Sequence, residues 1–183
     1  YEPLRLSGAP SLDAAALDRV WRLVTPNKAL GLTGVRAAYA IAPRDANAEL
    51  LARVRLLAPS WPLGAHGVAL LQAWARDEVH DWLLACRDSL RLWKARQMAL
   101  LTGIGWQVQP SDANFFVAAR ACLSSTGGLF DSKAGLDDLR AQGFKLRDCA
   151  SFGLPGRVRM AVVAPEVQDA LVSALLTKAK EAA

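Results

Sequence analysis

The chain has 183 residues, of which 52% are hydrophobic and 21% charged, with a formal net charge of +5. That balance supports a buried core and excludes a disordered chain, and no apolar run is long enough for a bilayer-spanning helix. The arginines are scattered among acids, as in Arg76-Asp77-Glu78 and Arg87-Asp88, so the excess charge reads as a mixed surface and not as a nucleic-acid face.

The first residues, Tyr1-Glu2-Pro3-Leu4, carry no methionine and no targeting pattern, which reads as a chain starting inside a folded unit in a cytoplasmic protein. Ser11-Leu12-Asp13 caps a short helix running towards Leu17. Val20 to Val24 alternates and is rich in branched residues, predicting a strand that ends at the loop signal Thr25-Pro26-Asn27. Val35 to Ala42 predicts a second strand, apolar enough to be buried on both faces. A helix follows from Asp45 or Asn47 to Leu57, with Leu50, Leu51, Val54 and Leu57 at helical spacing. Pro59 and Pro62 break it, and a second helix runs from about Gly64 to Ala75. A third, longer helix runs from Asp77 to about Leu101. Its apolar stripe (Val79, Trp82, Leu83, Cys86, Leu90, Trp93, Met98) reads as core packing.

The character changes after Gly103. Trp106 to Gln109 and Ala113 to Val117 predict strands, Ser124 to Gly128 a loop, and Leu136 to Gln142 a helix ended by Gly143. Phe144 to Arg147 and Val158 to Val163 predict short strands, and Pro165-Glu166 opens a last amphipathic helix. Cys86, Cys122 and Cys149 are far apart, and with only His66 and His80 beside them no metal site is expected; they read as reduced thiols.

Most of the chemistry resides in Thr25-Pro26-Asn27-Lys28-Ala29-Leu30-Gly31-Leu32-Thr33-Gly34-Val35-Arg36. Lys28 follows a strand, where α/β proteins place ligand groups. Small and apolar neighbours favour the neutral amine, the form that attacks aldehydes. Two glycines then let the chain fold back, and Arg36 supplies a bidentate clamp for phosphate.

This segment resembles the cofactor-lysine motif of the class I/II aminotransferases: Ser/Thr-x-x-Lys, a glycine-bearing spacer, then Gly-x-Arg. The resemblance implies that Lys28 binds the aldehyde of pyridoxal 5′-phosphate (PLP), and that Thr25, Asn27 and Arg36 hold its phosphate. Two departures are an asparagine where the family commonly has serine before the lysine, and Arg36-Ala37-Ala38-Tyr39 where many members have Arg-x-Gly-Tyr. Tyr1 resembles the tyrosine of the family's Asp-Glu-Ala-Tyr element, which hydrogen-bonds the cofactor ring oxygen. It stands 27 positions before Lys28, as in the histidinol-phosphate aminotransferase and threonine-phosphate decarboxylase branch. The stretch from Leu146-Arg147-Asp148-Cys149 to Gly153-Leu154-Pro155 and Val158-Arg159 is similar to that branch's Val-Arg-Asp-Cys … Gly-Leu-Pro … Ile-Arg. The match implies that Arg159 binds the substrate carboxylate and Arg147 a substrate phosphate. Ala113-Asn114-Phe115 matches a family strand and reads as structural.

The implied fold is α/β, the C-terminal part of a fold type I PLP-transferase. Residues 1–75 would be the remainder of the PLP-binding large domain, 76–102 a connecting helix, and 103–183 a small α+β domain. The implied activity is transamination of an amino acid or amino-acid phosphate, by a homodimer when full length. The aspartate that keeps the cofactor ring protonated belongs to a preceding half, so these residues alone are expected to be inactive. Two readings compete with it: threonine-phosphate decarboxylation, and a non-catalytic anion-binding or assembly module.

Overall fold

Short apolar segments punctuated by proline and glycine produce short elements, and the computed structural model describes residues 2–10, 12–120 and 133–181. They divide into two compact units, one of residues 2–4, 8–10 and 12–86, the other of residues 5–7, 87–120 and 133–181.

The first unit begins with helix α1 (Ala14–Leu17), capped by Asp13, whose Oδ1 accepts from the Ala16 amide at 2.7 Å. Strand β1 (Arg22–Val24) pairs antiparallel with β2 (Tyr39–Ile41), Leu23 opposite Ala40. The expected strand at 35–42 is therefore shorter, and its burial on both faces is not seen. Tyr39 and Ala40 are exposed and Leu23 is 80% exposed, because a two-stranded ribbon has no further strand beside it among the described residues. The chain enters helix α2 (Ala48–Leu57) at Asn47, whose side chain accepts from the Glu49 amide at 2.7 Å. Asn47→Ala should cost about 1 kcal/mol, read as a lower denaturant midpoint of this unit. The apolar spacing along α2 marks a helix but not a core: no residue of α2 is buried, and Leu57 is 86% exposed.

Helix α3 (Ala65–Trp74) starts at Gly64, as its sequence predicted, and buries Gly67 and Leu70. The corner into helix α4 (Asp77–Gly103) is tied by side chains. Trp74 donates from Nε1 to the Tyr39 hydroxyl at 3.1 Å, and His80 Nε2 lies 2.8 Å from the Trp74 carbonyl. The division between the units falls inside α4, between Cys86 and Arg87.

The second unit is a four-stranded antiparallel sheet in the order β3-β4-β6-β5, with β3 at Trp106–Val108, β4 at Phe115–Arg120, β5 at Arg147–Asp148 and β6 at Val158–Ala161. Alternation sends Phe116 and Ala118 of β4, with Val158 and Met160 of β6, into the core. Leu101 of α4, Leu139 of helix α5 (Lys133–Ala141) and Leu175 of helix α6 (Pro165–Glu181) close it. The strand expected at 144–147 is displaced to Arg147–Asp148. Its first residues instead close α5, with Gly143 left-handed (φ 91°) and the Phe144 amide donating to the Leu139 carbonyl at 2.9 Å. The loop expected at 124–128 and Cys122 lie outside the described residues; Cys86 and Cys149 are free thiols.

The apolar stripe expected on α4 is interrupted by buried polar groups. Trp82 is exposed, whereas Lys94 and Gln97 are buried. Lys94 donates to the Ser111 and Ala113 carbonyls, and burial pushes its ammonium below the usual lysine value against a smaller opposing pull from Asp112. Gln97 donates to the Ala161 carbonyl and accepts from the Val163 amide, both at 3.1 Å. Gln168 of α6 donates to the Trp93 and Val163 carbonyls at 2.9 and 2.8 Å. Apart from the Gln168–Trp93 bond, which ties α6 to α4, these bonds fall on backbone just before β4 or at the end of β6, so the polar groups fix the sheet that carries Arg159. No described helix is long and apolar enough to cross a membrane.

Candidate active site

In the first unit, Thr25 leaves β1 in extended conformation (φ −129°), and Pro26–Lys28 form a single 3-10 turn. Pro26 suits the first position of such a turn because its φ is already fixed and its missing N–H would have had no partner there. The Leu30 amide donates to the Pro26 carbonyl at 3.1 Å and the Leu32 amide to the Asn27 carbonyl at 2.8 Å. Gly31, left-handed at φ 69°, reverses the chain. Asn27 is 5% exposed, beneath the turn, while Thr25 and Lys28 are exposed on it.

Thr25 and Lys28 line one cavity of about 730 Å³, together with the apolar Leu12, Leu17 and Val20 and the acidic Glu2. Arg22, which sequence reasoning did not single out, lines it too. Its Nε is buried and finds no hydrogen-bond partner. A legible signal existed: β1 alternates, so Arg22 and Val24 share a face leading to Thr25. An orphaned buried donor destabilises, so Arg22→Met should stabilise the ligand-free chain by about 1 kcal/mol, read as a higher denaturant midpoint. A lowered midpoint would show that Nε has a partner in solution.

Arg36 is not among the lining residues. Its guanidinium donates to the Thr33 carbonyl at 3.2 Å, within the same loop. The backbone at Arg36 packs closely on α3: a Cβ at Gly67 would lie 3.2 Å from the Arg36 carbonyl oxygen, so a side chain there would require the Arg36 backbone to give by a few tenths of an ångström. Tyr1 lies outside the described residues.

In the second unit, Arg147 and Arg159 are register partners across β5 and β6, on the sheet face opposite the core. Arg147 lies 4.8 Å from the centre of the Phe152 ring. Arg159 lies 5.0 Å from the Phe115 ring and 5.9 Å from that of Phe152. Among the described residues neither arginine has a carboxylate partner. Asp148 instead accepts from the Ala150 amide at 2.9 Å, so it caps a turn and does not pair with Arg147. Phe115, read from sequence as structural, and Phe152, not singled out, both turn out to contact the arginines. Burial pushes the Cys149 thiol up, opposed by the Arg159 charge, raised further by Asp148 and opposed again by Arg147.

The donor set of the first unit fits PLP: an amine for an aldehyde and a hydroxyl on the same cavity for a phosphate, with Arg36 in the following loop. The family profile "Aminotransferase class I and II" matches residues 11–175. A histidinol-phosphate aminotransferase of Frankia casuarinae is 31% identical over 180 residues, covering 96% of this chain and 40% of that protein. One from Halobacterium salinarum is 30% identical over 168 residues, covering 85% and 37%. The chain thus spans about two fifths of the length of these curated relatives. The fold is also that of N-succinyldiaminopimelate aminotransferase from Mycobacterium tuberculosis. That structure has a TM-score of 0.72 at 24% identity, over 97% of this chain and 48% of the other. The profile match over nearly the whole chain, on a lysine turn that opens into a cavity, identifies this protein as a member of the class I and II aminotransferases, PLP-dependent enzymes of fold type I.

Proposed function

We propose that the complete protein transfers an amino group between an amino acid or amino-acid phosphate and a 2-oxo acid, in the manner of the histidinol-phosphate aminotransferases. The observation that carries this is Lys28, which ends the turn after β1 and lines, with Thr25, a cavity of about 730 Å³. Curated relatives at 30% and 31% identity that bear the name histidinol-phosphate aminotransferase support the substrate class.

In this reading residues 1–75 belong to the cofactor-binding domain, 76–102 connect, and 103–183 form the small domain; the enzyme is a cytoplasmic homodimer. Bound PLP supplies an electron sink next to the substrate's amino carbon. Lys28 would hold the cofactor aldehyde and would move a proton at that carbon. Thr25, Asn27 and Arg36 orient the phosphate, by hydroxyl, amide and guanidinium donors. Tyr1 bonds the ring oxygen. Arg159 anchors the substrate carboxylate and Arg147 a substrate phosphate.

The test is covalent labelling. The complete protein, loaded with PLP, reduced with borohydride and digested, should yield one peptide carrying the pyridoxyl mass, on Lys28. A label on another lysine, or none, overturns the proposal. Assay with histidinol phosphate should then give an oxo product with the carbon skeleton intact. Release of carbon dioxide from threonine phosphate would favour decarboxylation instead.

A further inference from the structure

Arg147 and Arg159 face each other as direct cross-strand partners, an arrangement that places Cα atoms about 5 Å apart and is unfavourable for like charges. No described carboxylate neutralises either one. One group lies against both: the ring of Phe152, 4.8 Å from the Arg147 guanidinium carbon and 5.9 Å from that of Arg159. An aromatic face attracts guanidinium groups, so a shared ring offsets part of their mutual repulsion and limits where each can swing.

The ring is itself anchored. Phe152 ends a 3-10 turn, Ala150–Phe152, whose amides at Phe152 and Leu154 donate to the Cys149 carbonyl at 2.9 and 3.2 Å. Gly153, left-handed at φ 74°, turns the chain away beyond it. The Cys149 amide donates to the Arg157 carbonyl at 2.9 Å, which ties the turn to the start of β6. Yet the side chain is 51% exposed and absent from the core, so packing does not explain a phenylalanine there.

The geometry points to Phe152 as a positioning residue that selects substrates with two anionic groups, by holding two unneutralised guanidinium groups side by side. This rests on the reading of Arg147 and Arg159 as substrate anchors. A doubly charged ligand engages both guanidinium groups at once and gains most from their being held in place. A singly charged ligand needs one, and gains less.

The experiment is calorimetric binding to the complete, PLP-loaded protein of phosphonoacetate, which carries a carboxylate and a phosphonate but no amine to react. Propionate is the singly charged comparison. Phe152→Leu should weaken phosphonoacetate about tenfold and propionate about twofold or less, and Phe152→Tyr should restore phosphonoacetate binding. In an Arg147→Ala background the further effect of Phe152→Leu should shrink to about twofold, because the coupled partner is gone. Equal losses for the two ligands, or a tyrosine variant as weak as the leucine one, would overturn the positioning role. If Phe152→Leu fails to fold, Phe152→Tyr alone still decides, since a weakened tyrosine variant contradicts the proposal. Loss of phosphonoacetate binding in Arg147→Ala and Arg159→Ala, with Phe152→Leu unaffected, leaves the anchors standing and removes only Phe152. Unchanged binding in both arginine variants removes the anchors as well.

Discussion

Lys28→Ala in the complete protein should lower turnover by at least about a thousandfold while leaving its thermal unfolding unchanged within a degree or two. The loss is large because one side chain does two jobs in the proposed reaction, holding the cofactor aldehyde and moving the substrate proton. Proton transfer alone is worth about a hundredfold to ten-thousandfold. The stability is spared because Lys28 is exposed at the end of a turn, and the turn's own bonds run through the Pro26 and Asn27 carbonyls. Lys28→Arg should be nearly as inactive, since a guanidinium keeps the charge and the length but does not become a neutral nucleophile. Turnover within tenfold of the wild type in either variant would remove Lys28 from the chemistry. A matched fall in stability would make it a structural residue instead.

The largest effect on stability is expected at Phe116. It is 1% exposed near the start of β4, is the register partner of Met160 across the strand pair, and packs in the core formed with Leu101, Leu139 and Leu175. Phe116→Ala should cost about 3–5 kcal/mol through lost transfer energy and the cavity left behind. Denaturant unfolding followed by the fluorescence of Trp106, which is buried in the same core, would measure it. Phe116→Leu, which keeps much of the volume, should cost less than half as much. Equal costs for the two variants would show that the core relaxes around the gap. Because β4 lies beside β6, the same substitution should also weaken ligand binding at Arg159, by loosening the strand that presents it.

Much of the fold was legible because local signals were strong. Asn47 and Gly64 sit immediately before helices, Pro165 opens the last one, and Gly143 ends α5, each at a residue whose backbone chemistry fits that place. The lysine segment was legible for a different reason: Thr25, Lys28, Gly34 and Arg36 occupy the spacing that a family uses. What failed was the inference from apolar residues to burial at Val35 to Ala42, where Tyr39 and Ala40 are exposed; helix α2 shows the same limit. Leu50, Val54 and Leu57 have helical spacing, but spacing reports which residues share a face, not whether anything covers it. The interruptions of the α4 stripe at Lys94 and Gln97 were illegible for the converse reason. A polar side chain becomes a core residue only where backbone carbonyls and amides from another element come within reach of it.

The sequence by itself determined the order of helices and strands, the reversal after Lys28, and the family to which that lysine belongs. Tertiary structure decided which groups meet: Arg22 with Lys28 on one cavity, Asp148 with a turn amide and not with Arg147, and Phe152 beneath two arginines. Local backbone preferences act over a few residues and can be read along the chain. A cavity wall or a shared ring is made by residues brought together by pairing register and by turns, and no spacing in the sequence states that register.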